Sequence, residues 1–400
     1  MSDASTGETA ADATAPATLH GGLPRRAILV LGTGLFGLGL TVGGYGAVVP
    51  VLVAGGVPAD VAGAGTSAFL LGQAVAVLPA DRLTRRYAPR SVAALGLLLA
   101  AVGAALLAST TVAAVLASRA LVGLGQGVAF VAAMTHVGRL TTGDDTATAQ
   151  GLLGAGFTLG FAVGLAAGPD AIARFGTLEP AVASAVVVAV GGAGALALGR
   201  ATSSWGVPSV GSYLRALRAP VAATLALGNA ATFGFLVVAG TWYADLLADA
   251  AVPATAVLVG FALATVAGRA LGGVLAARVG DAATVGWSLV GQTAVLGGTA
   301  AAVAADRPVL VAAGVVLTGL GFGVPFGPLF ALAFTEIAPD PGVTLVGMLV
   351  VGNLAALGYP WLVGRTLVAT GTFAVGLGAM AATVGGVALV WTRTVGLSRS

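Results

Sequence analysis

Two arginines stand inside long apolar runs, Arg119 in "VAAVLASRALVGLGQGVAF" and Arg269 in "AVLVGFALATVAGRALGGVLAA". A guanidinium near the centre of a membrane helix costs about 2.5 to 3.5 kcal/mol, so each must face a partner or a cavity. The chemistry available to such a group is anion binding, because its planar fork matches two carboxylate oxygens at once, which an ammonium does not. Arg269 lies eight residues before Ala277 at its run's end, roughly 12 Å deep at 1.5 Å per residue. Arg119 and Gln126 are seven apart, two turns along one helix face. No acid lies deep in any run: Asp60, Asp170, Glu179, Asp245, Asp249 and Asp306 fall at one set of run ends, and Asp81, Asp144, Asp145, Asp281, Glu336 and Asp340 at the other. A buried carboxylate proton relay is therefore not expected, and the lone cations leave a positive interior that a bound anion would neutralise. His136, at a run's end, is expected at the interface, with a coupling role as its alternative.

The runs that must position these groups recur at about 27–53, 61–80, 91–109, 112–135, 148–169, 180–199, 220–244, 254–277, 284–304, 308–334, 343–364 and 371–392. Of 400 residues, 58% are apolar and 8% charged, against roughly 25% charged in a soluble domain. Continuous hydrophobicity without alternation predicts helices rather than a barrel, since each span must satisfy its own backbone. The expectation is an all-α integral membrane protein of twelve transmembrane helices in two six-helix bundles. Residues 1–23 read as a disordered tail rather than a signal peptide, 24–199 and 220–394 as the bundles, and 200–219 as a linker. With the N-terminus inside, thirteen Arg (25, 26, 82, 85, 86, 90, 139, 200, 215, 218, 278, 393, 399) fall in cytoplasmic segments and three (174, 307, 365) outside. That asymmetry predicts a plasma-membrane protein with both termini cytoplasmic. Trp242 and Trp361 are expected at the outer interface, and Trp287 and Trp391 at the inner one. All 18 basic residues are Arg, spread through short loops, so the positive charge forms no nucleic-acid-binding domain. There is no Cys, and neither a paired nucleophile nor a metal cluster is apparent in the spans, so no enzyme and no cofactor is expected.

The chain repeats itself. "GLGQGVAF" (123–130) returns as "GLGFGVPF" (319–326), 196 residues later. The same offset carries "LGQAVAVLPADRL" (71–83) onto "AGRALGGVLAARV" (267–279), pairing Gly72 with Gly268, Gln73 with Arg269, Asp81 with Ala277 and Arg82 with Arg278. It also pairs Leu31, Gly32, Thr33 and Gly44 with Leu227, Gly228, Asn229 and Gly240, and Gly156 with Gly352. One ungapped offset in spans one, two, four and five indicates duplication. With six spans between copies the repeats run parallel, a plan in which substrate binds between the halves. Arg119 and Gln126 then correspond to Val315 and Phe322, so Gln126 offers a polar wall where Phe322 offers an apolar one. Arg269, Gln73, Arg119, Gln126, Thr33, Asn229 and Asn353 form the candidate cavity, although each Thr or Asn reads equally as an interhelical hydrogen bond, and Arg269 has backbone carbonyls as alternative partners.

These residues resemble the major facilitator superfamily. Its loop signature between spans two and three is matched by "VLPADRLTRR" through Asp81, Arg82, Arg85 and Arg86, with Val77 and Thr84 in place of its glycines. "GVLAARVGD" echoes it with Arg278 but has Ala277 in place of the acid. Arg119, Gly123, Gly125 and Gly127 are similar to its span-four pattern. The resemblance implies the twelve-helix fold, alternating access and a small-molecule substrate, with a monomer in the bilayer as the expected state. In its nitrate, oxalate/formate and monocarboxylate carriers an Arg at the position of Arg269 holds an anion; nitrate porters have a second Arg where this chain has Gln73.

Independently of the resemblance, an acid and several Arg at one helix end can pair with neighbouring helix ends when the halves close and part when they rock open. Asp81, Arg82, Arg85, Arg86 and Arg278 are therefore the candidate gate, lopsided because Ala277 cannot pair. Gly156, Gly160, Gly164 and Gly168 before Pro169 read as a packing face. They also resemble the stripe of the superfamily's drug/proton antiporters, from which "DAIA" departs. The clustered "GLGQG" has neither the strand nor the Lys of a nucleotide loop. The reading that results is a transporter of a small anion; its alternatives are a drug-type or neutral-solute exporter, and a non-transporting receptor or assembly protein.

Overall fold

The computed structural model describes residues 23–57, 59–109, 111–142, 144–199, 209–247, 252–335 and 341–395. Residues 1–22 of the expected tail, residues 200–208 of the linker, Glu336, Asp340, Asp249 and the Trp361 side chain lie outside the described residues.

Fourteen helices are described: α1 (Arg25–Ala54), α2 (Ala59–Arg86), α3 (Pro89–Leu106), α4 (Val112–Gly138), α5 (Asp144–Phe175), α6 (Leu178–Leu196), α7 (Val210–Leu217), α8 (Pro220–Leu246), α9 (Ala254–Val279), α10 (Asp281–Ala304), α11 (Pro308–Gly323), α12 (Phe326–Thr335), α13 (Pro341–Thr370) and α14 (Phe373–Thr394). Seven of them are individually long and apolar enough to cross a membrane, and α11 with α12 taken together (Pro308–Ala333) makes an eighth candidate span. Twelve spans result because α7 is a short linker helix and α11 with α12 make one interrupted span. The interruption falls at Val324 and Pro325. Pro325 lacks the N–H of an interior helical residue and clashes with the preceding turn; at the equivalent place Ala129 lets α4 run unbroken.

The duplication is visible in the packing. α1 lies on α5 as α8 lies on α13, α2 on α4 as α9 on α11, and α3 on α6 as α10 on α14. Glycines set these approaches. A Cβ on Gly72 would meet the Ala120 carbonyl and Leu124 N of α4, and one on Gly268 would meet Val324 N and the Leu320 carbonyl of α11. Gly156, Gly160 and Gly164 lie against the backbone of Gly32, Phe36 and Leu40 in α1. The stripe is thus a packing face, as lipid supplies no hydrophobic drive to hold helices apart or together.

An even number of spans puts both described ends on one face, here termed the terminal face. The halves meet there through α5 against α9 and α12, and through α2 against α13. Ala147 of α5, Ala276 of α9 and Ala331 of α12 form an apolar plug across the seam, and Phe130 of α4 stands edge-on to Phe326 and Phe330 of α12. At the opposite end the cluster of Tyr45, Val48, Leu52, Val57, Leu107, Val115 and Ala181 belongs to the first half alone.

Two expectations are corrected. Trp391 stays at the inner helix end but faces neither lipid nor water: it is fully buried and its indole donates to the Ala282 carbonyl at 3.0 Å, because the last turn of α14 packs inside the bundle against the start of α10. His136 is likewise buried, 1% exposed, with neither ring nitrogen partnered among the described residues.

Candidate functional site

Arg269 sits on α9 at the seam, 2% exposed. Its guanidinium carbon lies 3.9 Å from the Phe326 ring centroid and 4.9 Å from that of Phe322, so two rings of α11 and α12 cover it. Its Nη1 donates across the seam to the Gly154 carbonyl of α5. Among the described residues its Nε has no partner. The break at Pro325 leaves Phe326 as the first residue of α12, where its ring meets both Arg269 and Phe330. Gly154 is required as well: a Cβ there would stand 2.7 Å from Arg269 Nη1 and overlap the Phe326 ring.

Arg119 occupies a separate place, on α4 within the first half and close to the face opposite the termini. It is 1% exposed, 4.1 Å from the Tyr45 centroid and 4.8 Å from that of Phe69. Nη1 donates to the Thr41 carbonyl at 3.5 Å, and Nε is unpartnered. Arg119 and Arg269 therefore form no pair; they are two caged cations at different depths in different halves.

Gln73 and Gln126 are 6% and 3% exposed, each with an unpartnered Oε1. The Gln73 backbone lies against Gly127, next to Gln126, as Arg269 lies against Gly323, next to Phe322. Asn229 is an interhelical link, donating to the Met348 carbonyl of α13 at 3.1 Å. Asn353, 2% exposed, keeps an unpartnered Nδ2. Thr33 is exposed on the face of α1 that carries Leu29, and its hydroxyl turns back to the Leu29 carbonyl at 2.9 Å; the structure does not bring it to the others. Gln150 of α5, fully buried with both amide atoms unpartnered, went unnoticed in the sequence. Its signal was a Gln four residues before Gly154, on the face that meets α9.

At the terminal face Asp81, 2% exposed, accepts from Arg85 Nε at 2.7 Å and from the Tyr213 hydroxyl of α7 at 2.6 Å. Burial first, then the bond to Asp81, hold the Tyr213 phenol above its usual pKa, so it remains a donor through the neutral range. Arg139 donates to the Thr84 carbonyl at 3.3 Å, and Arg90 to the α6 end at Leu196 (3.0 Å) and Leu198. Asp81 takes a hydrogen-bond partner on the linker, and the charge of Arg139 at the end of α4 also acts on it. Short α7 folds back over the face, packs on α13 of the second half, and offers Tyr213 to α2 of the first. Arg86 and Arg278 are exposed, and Arg82 is half-buried with an unpartnered Nε.

Twelve helices in two related sets, closed on each other at one face around buried cations, define a carrier-type membrane protein. The sequence matches the Major Facilitator Superfamily over residues 29–353, and the chain belongs to that superfamily of membrane transporters. No curated protein matches it significantly in sequence. Among solved structures it is similar to the transporter FucP in the outward conformation (16% identity, TM-score 0.76, covering 92% of this chain and 98% of that one). It is similar too to the proton:xylose symporter XylE bound to 6-bromo-6-deoxy-D-glucose (12%, TM-score 0.75, 92% and 95%) and to the human organic anion transporter MFSD10 (18%, TM-score 0.70, 92% and 99%). At these identities the likeness is one of fold.

Proposed function

We propose that this protein carries a small mono-anion, organic or inorganic, across the plasma membrane by alternating access, as a monomer, with Arg269 as the anion's seat. The observation that carries the reading is a guanidinium deep in a span that has, among the described residues, no carboxylate partner, an open Nε and only a neutral carbonyl on Nη1. A desolvated cation of this kind gains most from an anion, because a charge-assisted contact is roughly twice as strong as a neutral one. With rings over the guanidinium, the edge of the fork is what remains to bind, which suits planar carboxylate or nitrate. Gln73, Gln126 and Asn353 contribute the remaining polar groups of the cavity.

The bias of Arg toward the terminal face makes that face cytoplasmic, with residues 24–199 and 220–394 as the moving bundles and 200–219 as their linker. The conformer described is then closed to the cytoplasm, and Asp81 with Arg85 and Tyr213 forms its gate. Arg82, Arg86 and Arg278 fix topology around it. Purified protein in liposomes tests the function directly. Saturable uptake of L-lactate, formate or nitrate is expected; binding without flux would identify a receptor, and flux of cationic or neutral compounds alone an exporter of another substrate class.

A further inference from the structure

The Arg269 seat contains an internal competitor for the anion, and that competitor belongs to the other half of the molecule. Phe322 and Phe326 move with Arg269 as parts of the second half, whereas Gly154 moves with the first. Rocking the halves apart therefore leaves the rings in place and removes the one hydrogen bond the guanidinium makes across the seam. The Gly154 carbonyl is also a shared acceptor, since the Thr158 hydroxyl donates to it at 3.1 Å. An anion offers a stronger acceptor than a carbonyl already in use.

We infer that the hydrogen bond from Arg269 to Gly154 locks the cytoplasmic seam and that the bound anion releases it by taking the carbonyl's place, which makes the protein an anion exchanger. This rests on the reading of Arg269 as the anion's seat. An empty carrier must break this bond while Arg269 is still shut off from cytoplasmic water, a costly step for a buried cation. A loaded carrier keeps an acceptor throughout. Loaded carriers consequently reorient faster than empty ones, and exchange of anion for anion outpaces net movement.

The absence of cysteine allows a clean test. A single thiol at Ala276→Cys, in the seam plug, is labelled by a membrane-impermeant maleimide from the cytoplasmic side of reconstituted full-length protein. Without anion, Arg269→Gln is expected to raise the labelling rate about tenfold, the loss of one charge-assisted hydrogen bond. Gly154→Ala, whose Cβ displaces Nη1 and the Phe326 ring while keeping the Arg269 charge, is expected to do the same, which guards against misfolding of one variant. In the unsubstituted background L-lactate, formate or nitrate should raise labelling, and an internal load of that anion should speed uptake about tenfold over unloaded vesicles, the same bond read as a rate. Unchanged labelling in both variants overturns the lock whatever the anions do. Labelling raised by the variants but by none of the three anions overturns release by anion; the anion reading of the seat falls only if none of the three is also taken up saturably. Equal uptake with and without internal anion overturns the exchanger.

Discussion

In the second half Arg269 of α9 lies under Phe322 and Phe326 with the helix broken between them; in the first half the same places hold Gln73 of α2, and Gln126 and Phe130 of an unbroken α4. The glycines that let the helices approach are common to both corners. Duplication thus preserved the packing and let the chemistry diverge, so that one corner carries a charge and the other two neutral amides. The asymmetry places the full cost of burying a cation on one half, and it gives the first half the carbonyl that meets it.

Five substitutions break or sharpen that contrast, in decreasing order of effect. Arg269→Ala removes the charge and is expected to raise KM for the carried anion at least about thirtyfold in liposome flux, the lower range for losing one partner of a buried charged contact. Phe322→Gln installs the first half's amide beside Arg269; its oxygen would compete for the fork and weaken anion binding about tenfold, as one hydrogen bond to a charge. Asp81→Asn weakens the bonds to Arg85 and Tyr213 and should increase cytoplasmic labelling of Ala276→Cys by about tenfold; Tyr213→Phe, which spares the ion pair, should give a smaller increase. Gln73→Ala removes one neutral amide and is expected to change KM by only about threefold.

Pro325→Ala addresses the same contrast from the backbone. Restoring the residue type of Ala129 should heal the span and raise thermal stability, given that an interior Pro costs a helix about 3 kcal/mol. Transport should fall at the same time, because Phe326 loses the position from which it covers Arg269. A variant that is both more stable and equally active would detach the helix break from the site.

Much of this was legible in the residues. Composition and run length determine twelve spans, the 196-residue offset identifies the two halves, and insertion cost singles out Arg119 and Arg269. The carbonyl alternative for Arg269 was also legible, but not which carbonyl, since Gly154 meets it only once the halves close. The partner of Asp81 was hidden for a related reason: Tyr213 lies 132 residues away, on a linker whose return to the membrane face depends on α13. Thr33 was misleading because pairing it with Asn229 fixes its place along the helix without fixing which neighbours surround it. Pro325 was present in the repeated octapeptide, and its consequence appears only when that residue is read as a helix break rather than as a variant position.

The most direct measurement is concentration-dependent uptake of L-lactate, formate and nitrate by liposomes containing the unsubstituted protein or Arg269→Lys, beside neutral and cationic solutes of similar size. Saturable uptake confined to anions is expected, with KM about tenfold higher in Arg269→Lys because the charge persists while the planar fork is lost. Uptake confined to neutral or cationic solutes, or a KM for anions that is the same in both proteins, would contradict Arg269 as the seat.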